Sequence, residues 1–207
     1  MMNVWHDLSP GVDPTEKFFC VIEIPAGSQN KYEIDKESGL LMLDRVLNAS
    51  MLYPVNYGMV PQTLADDSDP LDVLLLATNP VPPMTIVEAR PIGMLMMIDD
   101  GDFDQKIVAV PTHDPRFVGV TCLDDVPVGR KAEIEDFFRT YKSLEKKESQ
   151  ILKLDEQKFK TSDKDARLSY GVKGDKSPLV EGYLNLDRTK ETIQDCLDAY
   201  IAKFGQK

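Results

Sequence analysis

Segment 66–72, with the sequence Asp-Asp-Ser-Asp-Pro-Leu-Asp, carries four carboxylates in seven residues. In an extended chain alternate side chains share a face, so Asp67 and Asp69 point the same way, and Pro70 disfavours a helical conformation at Asp69. Carboxylates this close repel one another, and a hard divalent cation with oxygen ligands, such as Mg²⁺, Mn²⁺ or Ca²⁺, removes that cost. The segment therefore predicts a divalent-cation site, with a solvated acidic turn as the alternative.

A second acidic segment, 99–104, has the sequence Asp-Asp-Gly-Asp-Phe-Asp and is followed by Lys106. Apolar runs adjoin both segments, at 73–77 and at 107–110, and a strand at each place would hold the neighbouring carboxylates rigidly. An EF-hand is a poorer fit to the first segment, because Pro70 and Leu71 fall where its loop needs ligands and a glycine. Two such segments favour a shared cation site over two unrelated turns.

Isolated charged residues interrupt several apolar runs. Glu23 lies within 18–24, where a solvent-facing position is the alternative to a functional one. Arg45 lies within 40–46, and an arginine in such a run needs a partner or an anion. Lys31 shares a strand face with Glu33, so that a surface ion pair is the simple interpretation. Lys31 and Arg45 thus add cationic side chains to a chain whose acidic segments already predict a bound metal cation.

The periodicity of apolar residues predicts mostly strands, followed by helices. Pro91 and Gly93 indicate a bulge inside the longest strand. Tyr141 falls in the apolar stripe of the first helix, and Lys142 lies about 100° around it. This order of elements predicts an α+β fold, mainly β, with a small closed barrel and helices packed against it. Strands are expected at 18–24, 31–34, 40–46, 73–77, 85–98, 107–110 and 180–184, and helices at 131–147 and 189–204.

The chain of 207 residues has a length typical of one domain, with a charged excursion expected at 146–178. Its net charge of −11 opposes a nucleic-acid or anionic-membrane partner. No apolar run approaches the roughly 20 residues of a spanning helix. Three widely spaced cysteines are typical of reduced thiols, so a cytoplasmic location is expected.

In its motifs the chain resembles the soluble family I inorganic pyrophosphatases. The resemblance covers roughly residues 18–145 together with the last strand and helix. Its most specific part is the acidic segment 67–73, Asp-Ser-Asp-Pro-Leu-Asp-Val. The other motifs are Val-Ile-Glu-Ile-Pro at 21–25, Lys-Tyr-Glu-Ile-Asp-Lys-Glu-Ser-Gly at 31–39, Asp-Arg at 44–45, Tyr-Pro-Val-Asn-Tyr-Gly at 53–58, segment 99–106, Phe-Phe at 137–138 with Tyr-Lys at 141–142, and Val-Glu-Gly at 180–182.

The resemblance implies an OB-like five-stranded barrel and hydrolysis of pyrophosphate, as its magnesium complex, to two orthophosphates. It implies several Mg²⁺ ions per site, with Mn²⁺ as a substitute, and direct attack by a metal-activated water. By the same resemblance Asp69 is the general base. The metal ligands would be Asp67, Asp72 and Asp104 for the tightest ion, Asp99 with Asp104 for ions that arrive with substrate, and Glu23 through water. The phosphate-binding groups would be Lys31, Arg45, Tyr57, Tyr141 and Lys142, surrounded by Glu33, Tyr53 and Lys106.

The chain departs from the family pattern at several positions. Asp100 stands where many members carry glutamate, and Asp136 and Thr140 stand where some hexameric members carry interface histidines. The expected assembly is a homo-oligomer, first a hexamer, with a dimer or trimer as alternatives.

Three other functions fit the sequence less well. A calcium-binding module would leave Lys31, Arg45 and Lys142 unexplained, and the net charge of −11 opposes a nucleic-acid binder. A phosphatase for organic phosphates would need a further pocket.

Overall fold

The computed structural model describes residues 2–99, 102–144 and 178–205, and these contain eight strands and two long helices. Asp100 and almost all of the excursion expected at 146–178 lie outside the described residues. Two short 3₁₀ turns, Pro115–Phe117 and Leu123–Asp125, precede the first helix. The strands are β1 (Phe18–Ile24), β2 (Asn30–Ile34), β3 (Leu41–Val46), β4 (Asn56–Met59), β5 (Asp72–Leu75), β6 (Ile86–Asp99), β7 (Asp102–Pro111) and β8 (Leu179–Leu184), and the helices are α1 (Val128–Thr140) and α2 (Leu186–Phe204).

Five of these strands close into a ring. The order is β1, β4, β5, β7, β6, and β6 pairs again with β1, so the predicted five-stranded, OB-like barrel is confirmed. The β5–β7 pairing is parallel, and the other pairings of the ring are antiparallel. The register of β6 against β7 shifts between Pro91 and Gly93, where the bulge was predicted. Strand β8 extends the sheet from β6, while β2 and β3 form a separate two-stranded hairpin.

The barrel strands are buried on both faces, which explains why β5 has no polar residue after Asp72. Leu74 belongs to an apolar cluster that includes Phe137 and Phe138 of α1. Its neighbours Val73 and Leu75 belong to a second cluster, on the opposite face, that is completed by α2. A strand covered on both sides gains from apolar residues at every position instead of at alternate ones. The two helices thus hold β5, and with it Asp72, in a fixed place.

Both helices begin three residues earlier than predicted, and α1 also ends earlier. Helix α2 begins at Leu186, three residues before the predicted start, because the side chain of Asn185 accepts a hydrogen bond from the Arg188 amide at 3.1 Å and caps the helix. Helix α1 runs over Val128–Thr140 instead of 131–147. Tyr141 and Lys142 consequently lie in the turn that follows α1.

Candidate active site

One cavity of about 260 Å³ brings together almost all of the residues singled out in the sequence. They come from the β2–β3 hairpin, from β1, β4, β5, β6 and β7, from the acidic loop before β5, and from the turn after α1. Tyr53 is the exception, since it is 2% exposed and packs edge-on against the Tyr57 ring at 5.8 Å. The predicted residues that line the cavity are Glu23, Lys31, Glu33, Arg45, Tyr57, Asp67, Asp69, Asp72, Asp99, Asp104, Lys106, Tyr141 and Lys142.

Lys106 lies at the centre of the carboxylates. It stands opposite Asp72 in the parallel β5–β7 register, and Asp104 precedes it by two residues on the same strand face. Its ammonium donates to Asp72 Oδ2 and to Asp104 Oδ1, each at 2.7 Å, and to the Tyr57 hydroxyl at 3.1 Å. Lys106 is only 3% exposed. The structure therefore places a buried cation directly between two of the predicted metal ligands.

Burial and like charge raise the pKa values of several carboxyl groups in the cavity. Desolvation, opposed by Lys106, raises the pKa of Asp72, and desolvation together with the Asp104 carboxylate raises the pKa of Asp67. Desolvation, followed by the charge of Asp72, raises the pKa of Glu23 to about 8. Burial alone would lower the pKa of Lys106, but the carboxylates of Asp104 and Asp72 raise it well above its usual value. The site thus retains an excess of negative charge that its own ammonium groups only partly offset.

The acidic loop is fixed by its own backbone. Ser68 adopts a positive φ of 70°, which turns the chain between Asp67 and Asp69. The Asp69 amide donates to Asp67 Oδ1 at 2.9 Å, and the Ala65 amide donates to the Asp69 carbonyl at 2.8 Å. The Asp69 carboxylate forms an ion pair with Lys36, which comes from the turn between β2 and β3. The loop therefore presents Asp67 and Asp69 to the cavity from a defined turn.

Each cation predicted to bind phosphate is paired with a carboxylate. Asp44 accepts from Lys31 at 3.1 Å and also pairs with Arg45, its neighbour on β3. Lys142 pairs with Asp99 across the cavity. Lys31 stands opposite Arg45 in the β2–β3 register, so the hairpin delivers two cations side by side. Carboxylates and cations are therefore held together in one place.

A family model described as inorganic pyrophosphatase matches residues 20–164. The chain belongs to the inorganic pyrophosphatase family. Soluble inorganic pyrophosphatase 2 of Chlamydomonas reinhardtii is 51% identical over 144 residues, which are 70% of this chain and 75% of that protein. An inorganic pyrophosphatase of a Nostoc species is 56% identical over 132 residues, 64% of this chain and 78% of that one.

Solved structures confirm the same family fold. The crystal structure of the inorganic pyrophosphatase from Thermus thermophilus aligns with a TM-score of 0.80 at 36% identity, and covers 96% of this chain and 99% of that one. The resemblance drawn from the motifs is thereby confirmed. Within the described ranges, no helix has the length and apolarity needed to cross a membrane.

The pyrophosphatase cavity also fits a hard divalent cation by its chemistry. All the acidic groups that line it are oxygen donors, as Mg²⁺ and Mn²⁺ prefer. Asp99 Oδ1 is buried and has no hydrogen-bond partner among the described residues, although Asp99 Oδ2 pairs with Lys142. No three acidic, histidine or cysteine side chains in the described ranges already stand as a metal cage. Asp72, Asp99 and Asp104 instead pair with lysines.

The sequence assigned no role to several residues that line the pyrophosphatase cavity. Lys36 and Trp5 are the most informative of them. Lys36 lies inside the motif at 31–39, but its ion pair with Asp69 depends on two turns that meet only in the folded chain. Trp5 precedes the first strand, in a stretch that contains Pro10, Gly11 and Pro14 and has no periodic apolar pattern. The remaining residues of this kind are Tyr32, Ile34, Met59 and Pro70.

Proposed function

We propose that this protein is an enzyme that hydrolyses inorganic pyrophosphate to two orthophosphates with the help of Mg²⁺. The observation that carries the proposal is the cavity in which oxygen-donor carboxylates face cations from three elements, namely Lys31 on β2, Arg45 on β3 and Lys142 after α1. A cation site alone would need the carboxylates, and an anion site alone would need the cations. Pyrophosphate as its magnesium complex needs both.

Substrate binding would exchange the ion pairs within the cavity. Lys31, Arg45 and Lys142 would give up carboxylate partners for phosphate oxygens, and Arg45 could bind in a bidentate manner through its planar guanidinium. Of the carboxylates released in this way, Asp99 would become a ligand of the metal. Fixed cations around the phosphates stabilise the charge that grows on the leaving phosphate, without reorganisation during the reaction.

Asp69 and Tyr57 would serve as a proton acceptor and as a neutral hydrogen-bond donor, respectively. Asp69 would accept the proton of the attacking water as general base. Burial raises the pKa of Tyr57 well above its usual value, with Asp72 adding to the effect, so this hydroxyl stays a neutral donor. Magnesium, held by Asp67, Asp72, Asp99 and Asp104, with Glu23 reaching it through water, would lower the pKa of coordinated water and neutralise phosphate charge.

We further propose a single pyrophosphatase domain that acts as a cytoplasmic homo-oligomer, with a hexamer as the first expectation. Support for the compartment comes from Cys20, Cys122 and Cys196, which are all free thiols in the structure. Support for the assembly comes from the resemblance and the chain length. Light scattering coupled to gel filtration measures the molar mass and decides between a hexamer, a trimer and a dimer.

The deciding experiment measures phosphate release from pyrophosphate with Mg²⁺, with Ca²⁺ alone, and with a sugar phosphate as the substrate. Turnover is expected with pyrophosphate and Mg²⁺, and its absence would refute the proposal. Asp69→Asn is expected to keep Mg²⁺ affinity but lower kcat by about a hundredfold or more, since it cannot accept a proton. The matched control is Asp66→Asn, because Asp66 is exposed and outside the cavity. Unchanged activity in Asp69→Asn would exclude Asp69 as the base.

A further inference from the structure

Lys36 joins two loops across the mouth of the cavity. It lies in the turn between β2 and β3, and its ammonium pairs with Asp69 Oδ1 in the acidic loop. Both side chains are about half exposed, at 52% for Lys36 and 49% for Asp69. Both also line the cavity. An exposed ion pair contributes little to stability, so the main effect of this contact is on the position of the Asp69 carboxylate.

The N-terminal arm, residues 3–6, supports the turn that carries Lys36. The side-chain amide of Asn3 donates to the Lys36 carbonyl at 2.8 Å. Gly39, at the end of the same turn, has a φ of +68°, and a Cβ atom at this position would lie 2.9 Å from Asn3 Cα. The arm and the turn are therefore in direct backbone contact. This contact fixes the point from which the Lys36 side chain reaches Asp69.

The same arm also supports the segment that leads into the acidic loop. The Trp5 indole N–H donates to the Thr63 carbonyl at 2.9 Å, and the Gln62 amide donates to the Trp5 carbonyl at 2.8 Å. The Thr63 hydroxyl in turn accepts from the Leu71 amide at 2.8 Å. The N-terminal arm thus contacts both the turn that carries Lys36 and the segment that leads to Asp69. The distance between the two loops is therefore fixed by their shared contact with the arm.

We propose that Lys36 is a positioning residue that orients the Asp69 carboxylate, and this inference rests on the proposed function. The Asp69 backbone is already held by Asp67 and Ala65, so rotation of its side chain is the freedom that remains. Lys36 restrains that rotation through an ion pair with Oδ1, an oxygen that accepts no hydrogen bond from the described residues, and leaves Oδ2 to accept the proton. A base misplaced by about 1 Å can lose up to a hundredfold in rate, which makes such a restraint effective.

The test compares wild type, Lys36→Met and Lys36→Arg for kcat, KM and Mg²⁺ affinity, the last by calorimetry. Lys36→Met is expected to lower kcat about tenfold and to leave KM and Mg²⁺ affinity within about twofold. Lys36→Arg is expected to recover most of the rate, because it keeps the cation. Lys190→Met is the matched control, since it removes an exposed ion pair with Glu16 and lies on α2 outside the cavity.

A double-mutant cycle separates positioning of Asp69 from other roles of Lys36. If Lys36 acts through Asp69, Lys36→Met in the Asp69→Asn background is expected to cause no further loss of kcat. An equal loss in both backgrounds overturns the inference, as does an effect confined to KM, which would make Lys36 a phosphate ligand. Unchanged kcat in Lys36→Met with an active wild type overturns the positioning role alone. An inactive wild type instead overturns the proposed function.

Discussion

Replacing Lys106 by methionine is expected to destabilise the metal-free protein by about 3–5 kcal/mol. The Lys106 side chain is 3% exposed, and its ammonium donates to Asp72 and Asp104 at 2.7 Å each. Methionine keeps the length of the side chain and packs well between aromatic rings, and the Lys106 ammonium lies 5.2 Å from the Tyr57 ring centroid and 5.4 Å from that of Phe138. The substitution therefore removes the charge while largely keeping the packing.

The magnitude follows from the two carboxylates left behind. Asp72 is 22% exposed at its side chain and Asp104 15%, so water screens neither of them well. Without the ammonium, the two carboxylates either repel each other or one of them takes up a proton. For a chain of this size, 3–5 kcal/mol corresponds to a fall in Tm of about 6–20 °C. The loss should shrink at low pH, where protonation relieves the repulsion.

Differential scanning calorimetry in a chelating buffer measures this loss. Lys190→Met, which removes an exposed pair with Glu16, serves as the control and is expected to change the free energy of unfolding by less than about 0.5 kcal/mol. Added Mg²⁺ should raise the Tm of Lys106→Met more than that of wild type, because a cation can replace the missing ammonium. Equal Tm values for Lys106→Met and wild type in chelator would refute the assignment of Lys106 as the counter-ion of the site.

Two further predictions concern Glu23 and Gly58. Glu23 has a folded-state pKa of about 8 against an ordinary 4.5, so the unfolded chain ionises first and the wild type loses stability as the pH rises between these values. The stability of Glu23→Gln relative to wild type should therefore increase from pH 5 to pH 8, measured as urea midpoints in the presence of a chelator. A difference between the two midpoints that does not change with pH would contradict this prediction. Gly58→Ala should cost about 1–3 kcal/mol by thermal unfolding, because its Cβ would meet the Val21 carbonyl of β1. The control Gly129→Ala, in open space on α1, should instead stabilise by about 0.5–1 kcal/mol, and equal effects would exclude crowding at Gly58.

Four of the five barrel strands were predictable because burial on both faces gives nearly continuous apolar runs. Strand β1 begins and ends as predicted, and the bulge at Pro91 and Gly93 lies where the sequence indicates. Strand β4 was not predicted, since it has only four residues and includes a glycine. Strand β7 begins at Asp102 instead of 107, because pairing with β6 extends it through polar positions that carry no apolar signal.

The candidate site was predictable in its residues more than in its contacts. The carboxylates and the lone cations are anomalous in their own segments, and the family resemblance supplied their roles. Pairings between segments are set by the fold, so the sequence could not reveal that Lys106 bridges Asp72 and Asp104. The same holds for Lys36 and Asp69, which are 33 positions apart in the numbering and meet only because the arm, the hairpin turn and the acidic loop converge.

Under the proposed function, two of the three phosphate-binding cations lie on the separate β2–β3 hairpin, and three of the metal ligands lie on barrel strands. Lys31 and Arg45 lie on the hairpin, whereas Asp72, Asp99 and Asp104 lie on barrel strands. A substitution on the hairpin would therefore alter two of the proposed phosphate-binding cations and leave the barrel strands paired as before. A pyrophosphate bound to both the hairpin and the barrel would also link them, so that bound substrate would stabilise the position of the hairpin.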